Sequence, residues 1–197
     1  MADDTRARIL DLAVDAIDAG GEAALRLEPI LNAVGVTPPT ISYHFGNRDG
    51  LVIAAQIERY TRQTRTDTAA IGRAVAKCTT SDELHTALRI TWTRSLAQRS
   101  ESRWRRISIV GSAYARPELA EAVAKAQDEI VATLTDILEP CRERGWLRPD
   151  IDLASTIAWH HSLLIGRVFM EHGQRHGDPT VWDQLTLDAL DRAFFGD

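Results

Sequence analysis

The run Thr37-Pro38-Pro39-Thr40-Ile41-Ser42-Tyr43-His44-Phe45 combines short hydroxyls, a phenol, an imidazole and two apolar side chains four residues apart. On a short helix, Ile41 and Phe45 would face a small core and leave Thr40, Ser42, Tyr43 and His44 outside. Small hydroxyl donors and one flat ring are the groups that reach base edges and phosphates in a DNA groove. Thr37 is placed to cap this helix, and Pro38 and Pro39 fall where the first turn would otherwise carry free amide donors. Other constellations are weaker. His172 and His176 have the i,i+4 spacing of a metal pair, but Gly173 and Gly177 should fray their helix and no third ligand is evident, so neither metal nor cofactor is expected. Ser108 or Ser112 with His161 could be imagined as nucleophile and base, yet no nucleophile elbow or oxyanion loop accompanies them, and no catalytic residue is assigned. Cys78 and Cys141 have no CxxC neighbour, which excludes a disulfide framework and a thiolate zinc site and fits a reducing cytoplasm.

Helices must position these groups, because spacings of three and four recur throughout and no window alternates as a strand would. Ile9, Leu10, Ala13, Val14 and Ile17 make one stripe of a first helix over residues 4–19, ended by Gly20-Gly21. Leu27, Ile30, Leu31 and Val34 give a second of about two turns, with Pro29 near its start and Gly35 at its end. Gly46-Asn47 separates the third from a long helix beginning near Arg48. Leu84, Leu88, Trp92 and Leu96 then share one side of a helix capped by Ser81-Asp82-Glu83, and Trp104, Ile107 and Val110 mark the next. The stripe from Leu119 through Ile130 to Ile137 ends around Pro140 to Gly145. Another helix runs through Ile157, His161, Leu164 and Val168, and the last follows Asp178-Pro179. The expected fold is all-α with about nine helices.

Composition narrows the class further. The 197 residues suit one ordinary domain or two small ones sharing a core, and 44% hydrophobic with 26% charged residues reads as a globular chain. Uncharged apolar stretches fall far short of the roughly 18–20 residues of a membrane span. Two acids among the first residues argue against a secretory signal, so a cytoplasmic protein without a membrane partner is expected. The net charge of −5 hides a division: residues 1–60 carry five Arg against nine acids, 61–106 ten bases against four acids, and 107–197 eight bases against fifteen acids. No acid occurs between Glu28 and Asp49, so the surface that would meet DNA lacks negative charge.

Gly35-Val36-Thr37, followed by Thr40-Ile41-Ser42-Tyr43-His44-Phe45-Gly46-Asn47-Arg48-Asp49-Gly50-Leu51, resembles the DNA-binding signature of the tetracycline-repressor (TetR) family. The likeness covers about the first 55 residues, with the spacing from the turn glycine through His44-Phe45 to Leu51 held without a gap. It implies a dimeric repressor whose third helix enters the major groove. Thr40 would meet a phosphate or base edge, Tyr43 would stack on the sugar-phosphate backbone, and His44 belongs to the same outer face. Arg48 stands where the family places a phosphate-contacting Lys. Thr37, Pro38 and Pro39 occupy base-reading positions, where prolines offer only apolar contact such as to thymine methyls. Arg26 replaces the Ser or Thr that caps the second helix and is expected on phosphate instead, and Ser42 replaces a usual Tyr.

The resemblance further implies a helix-turn-helix domain over residues 1–47 and an effector-binding and dimerisation domain over 48–197. All five Trp lie beyond residue 90. Trp92, Trp104, Ile107, Ser108, His161 and Leu164 fall on helices that line the effector cavity in family members, suggesting a small hydrophobic or aromatic effector. Arg94, Arg99, Arg103, Arg105 and Arg106 read either as a solvated face or as an anion clamp selecting carboxylate or acyl-thioester effectors. Gly166, Met170, Trp182, Leu185 and Phe194 are candidates for a homodimer interface, or else close the monomer's own core. The expectation is a ligand-responsive repressor, not an enzyme, whose partners are a palindromic double-stranded operator, a small-molecule effector and a second copy of itself. The alternatives are a small-molecule carrier with a vestigial DNA-binding module and an all-α enzyme using the Trp- and Arg-lined cavity.

Overall fold

The computed structural model describes residues 2–98, 100–172 and 177–196, which contain helices, turns and loops and no strand. In order come α1 (Ala2–Gly20), a 3-10 turn (Glu22–Ala24), α2 (Leu27–Val34), α3 (Pro38–Phe45), α4 (Arg48–Val75), α5 (Ser81–Gln98), α6 (Ser100–Ala113), α7 (Pro117–Glu143), α8 (Leu153–Gly166), α9 (Val168–His172) and α10 (Pro179–Phe194). The all-α class is as expected. The described residues hold ten α-helices because the stretch expected to run from Ile157 through Val168 divides at Arg167. Helix α7 also carries Pro140 inside its final turn before stopping at Glu143.

The chain forms two compact units, one of Met1–Arg62 with Ser112–Val123 and one of Gln63–Gly111 with Ala124–Asp197. Helix α4 therefore contributes residues to both. In the first unit, Ile9, Ala13, Val14 and Ile17 of α1 pack with Ile30 and Leu31 of α2, Ile41 of α3, and Leu51, Val52 and Ala55 of α4. Each Ile, Leu or Val among them contributes roughly 1.5–3 kcal/mol when fully buried. Phe45 and Val36 pack against this core from its edge.

Two joints set the direction of α3. At the first, Gly35 ends α2 with φ +78°, and the N–H groups of Gly35 and Val36 both donate to the Leu31 carbonyl, at 2.9 and 3.0 Å. A side chain at this φ would be strained. At the second, Asn47 caps α4: its Oδ1 accepts from the Gly50 N–H at 2.9 Å and its carbonyl from the Leu51 N–H at 3.1 Å. Gly50 sits so close beneath α3 that a Cβ there would lie 2.0 Å from the Phe45 carbonyl oxygen.

In the second unit, the i,i+4 stripe Leu84, Leu88, Trp92 and Leu96 of α5 is buried along its length. Helix α10 lies against it, with Trp92 5.4 Å from Phe194 between ring centroids and His85 Nε2 2.9 Å from Asp191. Asp152 and Asp178 cap α8 and α10 by accepting from Ser155 and Thr180 N–H groups.

These contacts separate two glycine substitutions. Gly50→Ala should lower stability by about 1–3 kcal/mol, because α3 and α4 must part to admit the methyl group. Gly111→Ala lies in α6 with open space around the new Cβ and should raise stability by about 0.5–1 kcal/mol. Urea denaturation of both variants checks the signs, and a neutral Gly50→Ala would contradict the close α3–α4 joint.

Candidate functional site

Helix α3 presents the outer face expected of it. Tyr43 is 81% exposed, Thr37, Pro38, Pro39 and Ser42 are exposed, and Thr40 and His44 are half-buried. The Tyr43 and His44 rings meet edge to face at 4.8 Å. Thr37 is the N-cap, but its side chain makes no capping hydrogen bond; the Thr40 N–H instead donates to the Thr37 carbonyl at 2.9 Å. Pro38 and Pro39 have no N–H, so this helix start offers none of the free amides that usually draw a phosphate. Side chains must supply any anion contact. Arg26 is exposed at the N-cap of α2 and makes no capping hydrogen bond.

Arg48 is engaged within the chain. Its Nη2 donates to the carbonyls of Glu22 at 2.8 Å and Leu25 at 3.0 Å, and its Nε to Leu25 at 3.3 Å. It ties the first turn of α4 to the segment between α1 and α2. Around it runs a polar network that sequence reasoning missed. Glu22 accepts from Gln56 at 2.8 Å, from Ser112, and from Arg116 at 3.0 Å, while Arg116 also reaches Asp49 at 3.1 Å. Gln56 is fully buried and its Oε1 accepts from Arg59, which bonds Asp18 at 2.7 Å. Burial works against the Glu22 charge, but hydrogen bonds from Ser112, Gln56 and Arg116 hold its carboxyl below the usual range. The sequence signal was Gln56 itself, a polar residue at a buried position next to Val52 and Ala55.

The second unit holds a cavity of about 290 Å³. Trp92, His161 and Leu164 are on its wall, whereas Trp104, Ile107 and Ser108 are not. On α6 it is Ser102, Arg103 and Arg106 that face inward, and Ser108 is exposed. Arg94 also lines the cavity, Arg105 pairs outside it with Glu101 at 2.6 Å, and Arg99 lies outside the described residues. Adjacent His160 and His161 are both buried and both line the cavity. His161 is held between Arg106 and Gln127, the latter 3.2 Å from Nδ1, and Arg106 pairs with Asp67 of α4 at 3.1 Å. Asp67, a lone acid within a basic stretch, was the overlooked signal for that pair. Among the described residues no group of acids, histidines and cysteines could hold a metal; the His172 side chain and His176 lie outside them.

Residues 9–55 match the family model of the bacterial regulatory proteins, tetR family. Over that span the chain is similar to the family's regulatory proteins. The matched span runs from the first core residue of α1 through both helix joints to Ala55 of α4, which includes every part of the α3 support described above. No curated protein matches the sequence. Solved structures share the fold over nearly the whole chain. A protein assigned to the TetR family from Mesorhizobium loti is 15% identical, with 99% of this chain and 98% of that chain covered and a TM-score of 0.74. A transcriptional regulator from Saccharomonospora viridis in complex with choline is 17% identical, with 98% of each chain covered and a TM-score of 0.67. Salmonella enterica GusR is 18% identical, covering 95% of this chain and 93% of its own, with a TM-score of 0.63. At these identities the likeness shows a shared fold.

Of the residues considered for a TetR-type dimer, Leu185 is 64% exposed, Gly166, Met170 and Trp182 are half-buried, and Phe194 is 1% exposed, packed between Trp92 and His160. Phe194 therefore closes the core of its own unit. Trp159, Phe169 and Val181 are exposed apolar residues of α8–α10 that were not among the residues expected at an interface. For Val181 the sequence signal was its i,i+4 spacing to Leu185.

Burial lowers the His160 pKa to about 4; burial, Arg106 and His160 lower that of His161 to about 3. The unfolded chain protonates these imidazoles near 6.5, so from there downward the unfolded state binds more protons and stability falls with pH. The urea midpoint should drop between about pH 7 and pH 5, with a shallower slope for His161→Gln. A midpoint independent of pH over that interval would contradict the burial.

Proposed function

We propose that the chain is a ligand-responsive transcriptional repressor that binds a palindromic operator as a homodimer and is released by a small molecule. The observation that carries this reading is the exposed outer face of α3, held by Gly35, Asn47 and Gly50 inside the TetR-family segment. Thr40, Tyr43 and His44 contact the duplex, Pro38 and Pro39 present apolar surface to base edges, and Arg26 meets phosphate. Arg48 acts first as the brace that orients α3. The functional division is a DNA-binding module over residues 1–47 and an effector and dimerisation module over 48–197, in a cytoplasmic protein.

The cavity supports the effector half of the reading, as does the choline complex of the Saccharomonospora viridis protein, a small molecule bound in the same fold. Helix α4 offers the coupling: Leu51, Val52 and Ala55 belong to the core beneath α3, while Thr64, Asp67, Thr68, Ile71 and Ala74 line the cavity. An occupant that shifts α4 would change the separation of two recognition helices, and operator half-sites demand a fixed separation of about 34–36 Å. Trp159, Phe169, Val181 and Leu185 supply apolar surface for pairing, with Gly166, Met170 and Trp182 beside them.

Fluorescence anisotropy with DNA from upstream of the chain's own coding region tests the reading. Binding should be saturable and weaken as salt rises. Tyr43→Ala should cost about tenfold in affinity, as loss of one good contact does, with an unchanged melting temperature because the ring is exposed. Salt-insensitive binding, or full affinity in Tyr43→Ala, would count against α3 as the reading helix.

A further inference from the structure

The polar wall of the second-unit cavity is unevenly charged. Arg94, Arg103 and Arg106 line it against one acid, Asp67. Two of these cations are already matched: Arg106 pairs with Asp67 at 3.1 Å, and Arg103 with Glu171. Arg94 is exposed and has no ion-pair partner among the described residues. A second group on the wall is also incomplete. His160 is more than nine-tenths buried beside Trp92, and its Nε2 has no hydrogen-bond partner. Buried polar atoms without partners are rare in folded proteins, and a bound ligand is one way to complete them. Most of the remaining wall is apolar, from Ile71, Ala74, Trp92, Ile130, Leu134 and Leu164, with neutral hydroxyls of Thr and Ser and the buried His161 between them.

We propose that this cavity takes a small monocarboxylate with an apolar body, its carboxylate paired with Arg94 and accepting a hydrogen bond from His160 Nε2; this rests on the effector reading above. Each feature of the ligand answers one of the wall. One negative charge matches the one uncompensated guanidinium, and guanidinium–carboxylate pairs are strong in a partly desolvated site. A neutral ligand would satisfy His160 and leave Arg94 unmatched, and a cation would meet three guanidinium groups. A dianion would exceed the available charge. The volume of about 290 Å³ suits a compact acid.

Calorimetric titration of the full chain tests this with butyrate, octanoate and phenylacetate, each alongside its matched amide and amine. At least one acid should bind about tenfold or more tightly than its amide, and the amines should not compete. In Arg94→Gln, an exposed substitution whose folding circular dichroism verifies, that preference should shrink to about twofold or less. Absence of binding by all three acids, an amide or amine that binds as tightly as its acid, or an unchanged preference in Arg94→Gln would overturn the assignment. The same compounds added to the protein–DNA complex separate the two claims. An amide or amine that binds more tightly than its acid and releases DNA removes the acid assignment and keeps the effector reading. An acid that binds with the expected preference but leaves DNA affinity unchanged does the reverse.

Discussion

Helix α4 is the constraint on which the rest of the structure depends. It runs from Arg48 to Val75 without a proline, so its backbone hydrogen-bond ladder is uninterrupted. Its first turns are fixed by the Asn47 cap, by Gly50 under the Phe45 carbonyl, and by Arg48 on the carbonyls of Glu22 and Leu25. Its later turns bring Asp67 to Arg106 and Ile71 and Ala74 to the cavity. The same helix thus supplies residues both to the support of α3 in the first unit and to the cavity wall in the second.

The polar network around Glu22 adds specificity to the first unit. Hydrophobic packing of Ile9, Ile17, Leu25 and Leu51 supplies the stabilisation but tolerates small slides between helices. Hydrogen bonds from Gln56, Ser112 and Arg116 to one carboxylate do not tolerate them, because a displaced partner leaves a buried polar group unsatisfied. Residues 112–123 are held to the first unit by these bonds even though most of α6 and α7 belongs to the other. In the proposed mechanism, effector binding has two covalent routes out of the cavity-bearing unit, through α4 and through the α6–α7 segment.

Much of this was legible in the sequence because it rests on local rules. The i,i+4 stripes placed α1, α5 and α7, Gly35 and Gly46 marked the turns, and Ile41 with Phe45 separated the inner from the outer face of α3. The cavity wall was only half legible. Trp92, His161 and Leu164 were recognised, but Trp104 and Ile107 depend on the rotation of α6, which a weakly amphipathic helix does not disclose. His160 was not among the expected wall residues, although neighbouring side chains on a helix diverge by only about 100° and both line the cavity. Arg48 was assigned to phosphate, and its carbonyl contacts could not be foreseen because they lie more than twenty residues away in sequence. Phe194, a candidate for the dimer surface, is enclosed by Trp92 and His160, a contact between α5, α8 and α10 that no local pattern encodes.

The most direct test of the account is selection from random duplex DNA with the purified chain, followed by hydroxyl-radical footprinting on the enriched sequence. A TetR-type reader that works through α3 in a two-fold dimer should enrich a palindrome and protect two half-sites about one helical turn apart, ~34–36 Å. Failure to enrich any sequence, or protection of a single site without a dyad, would contradict it.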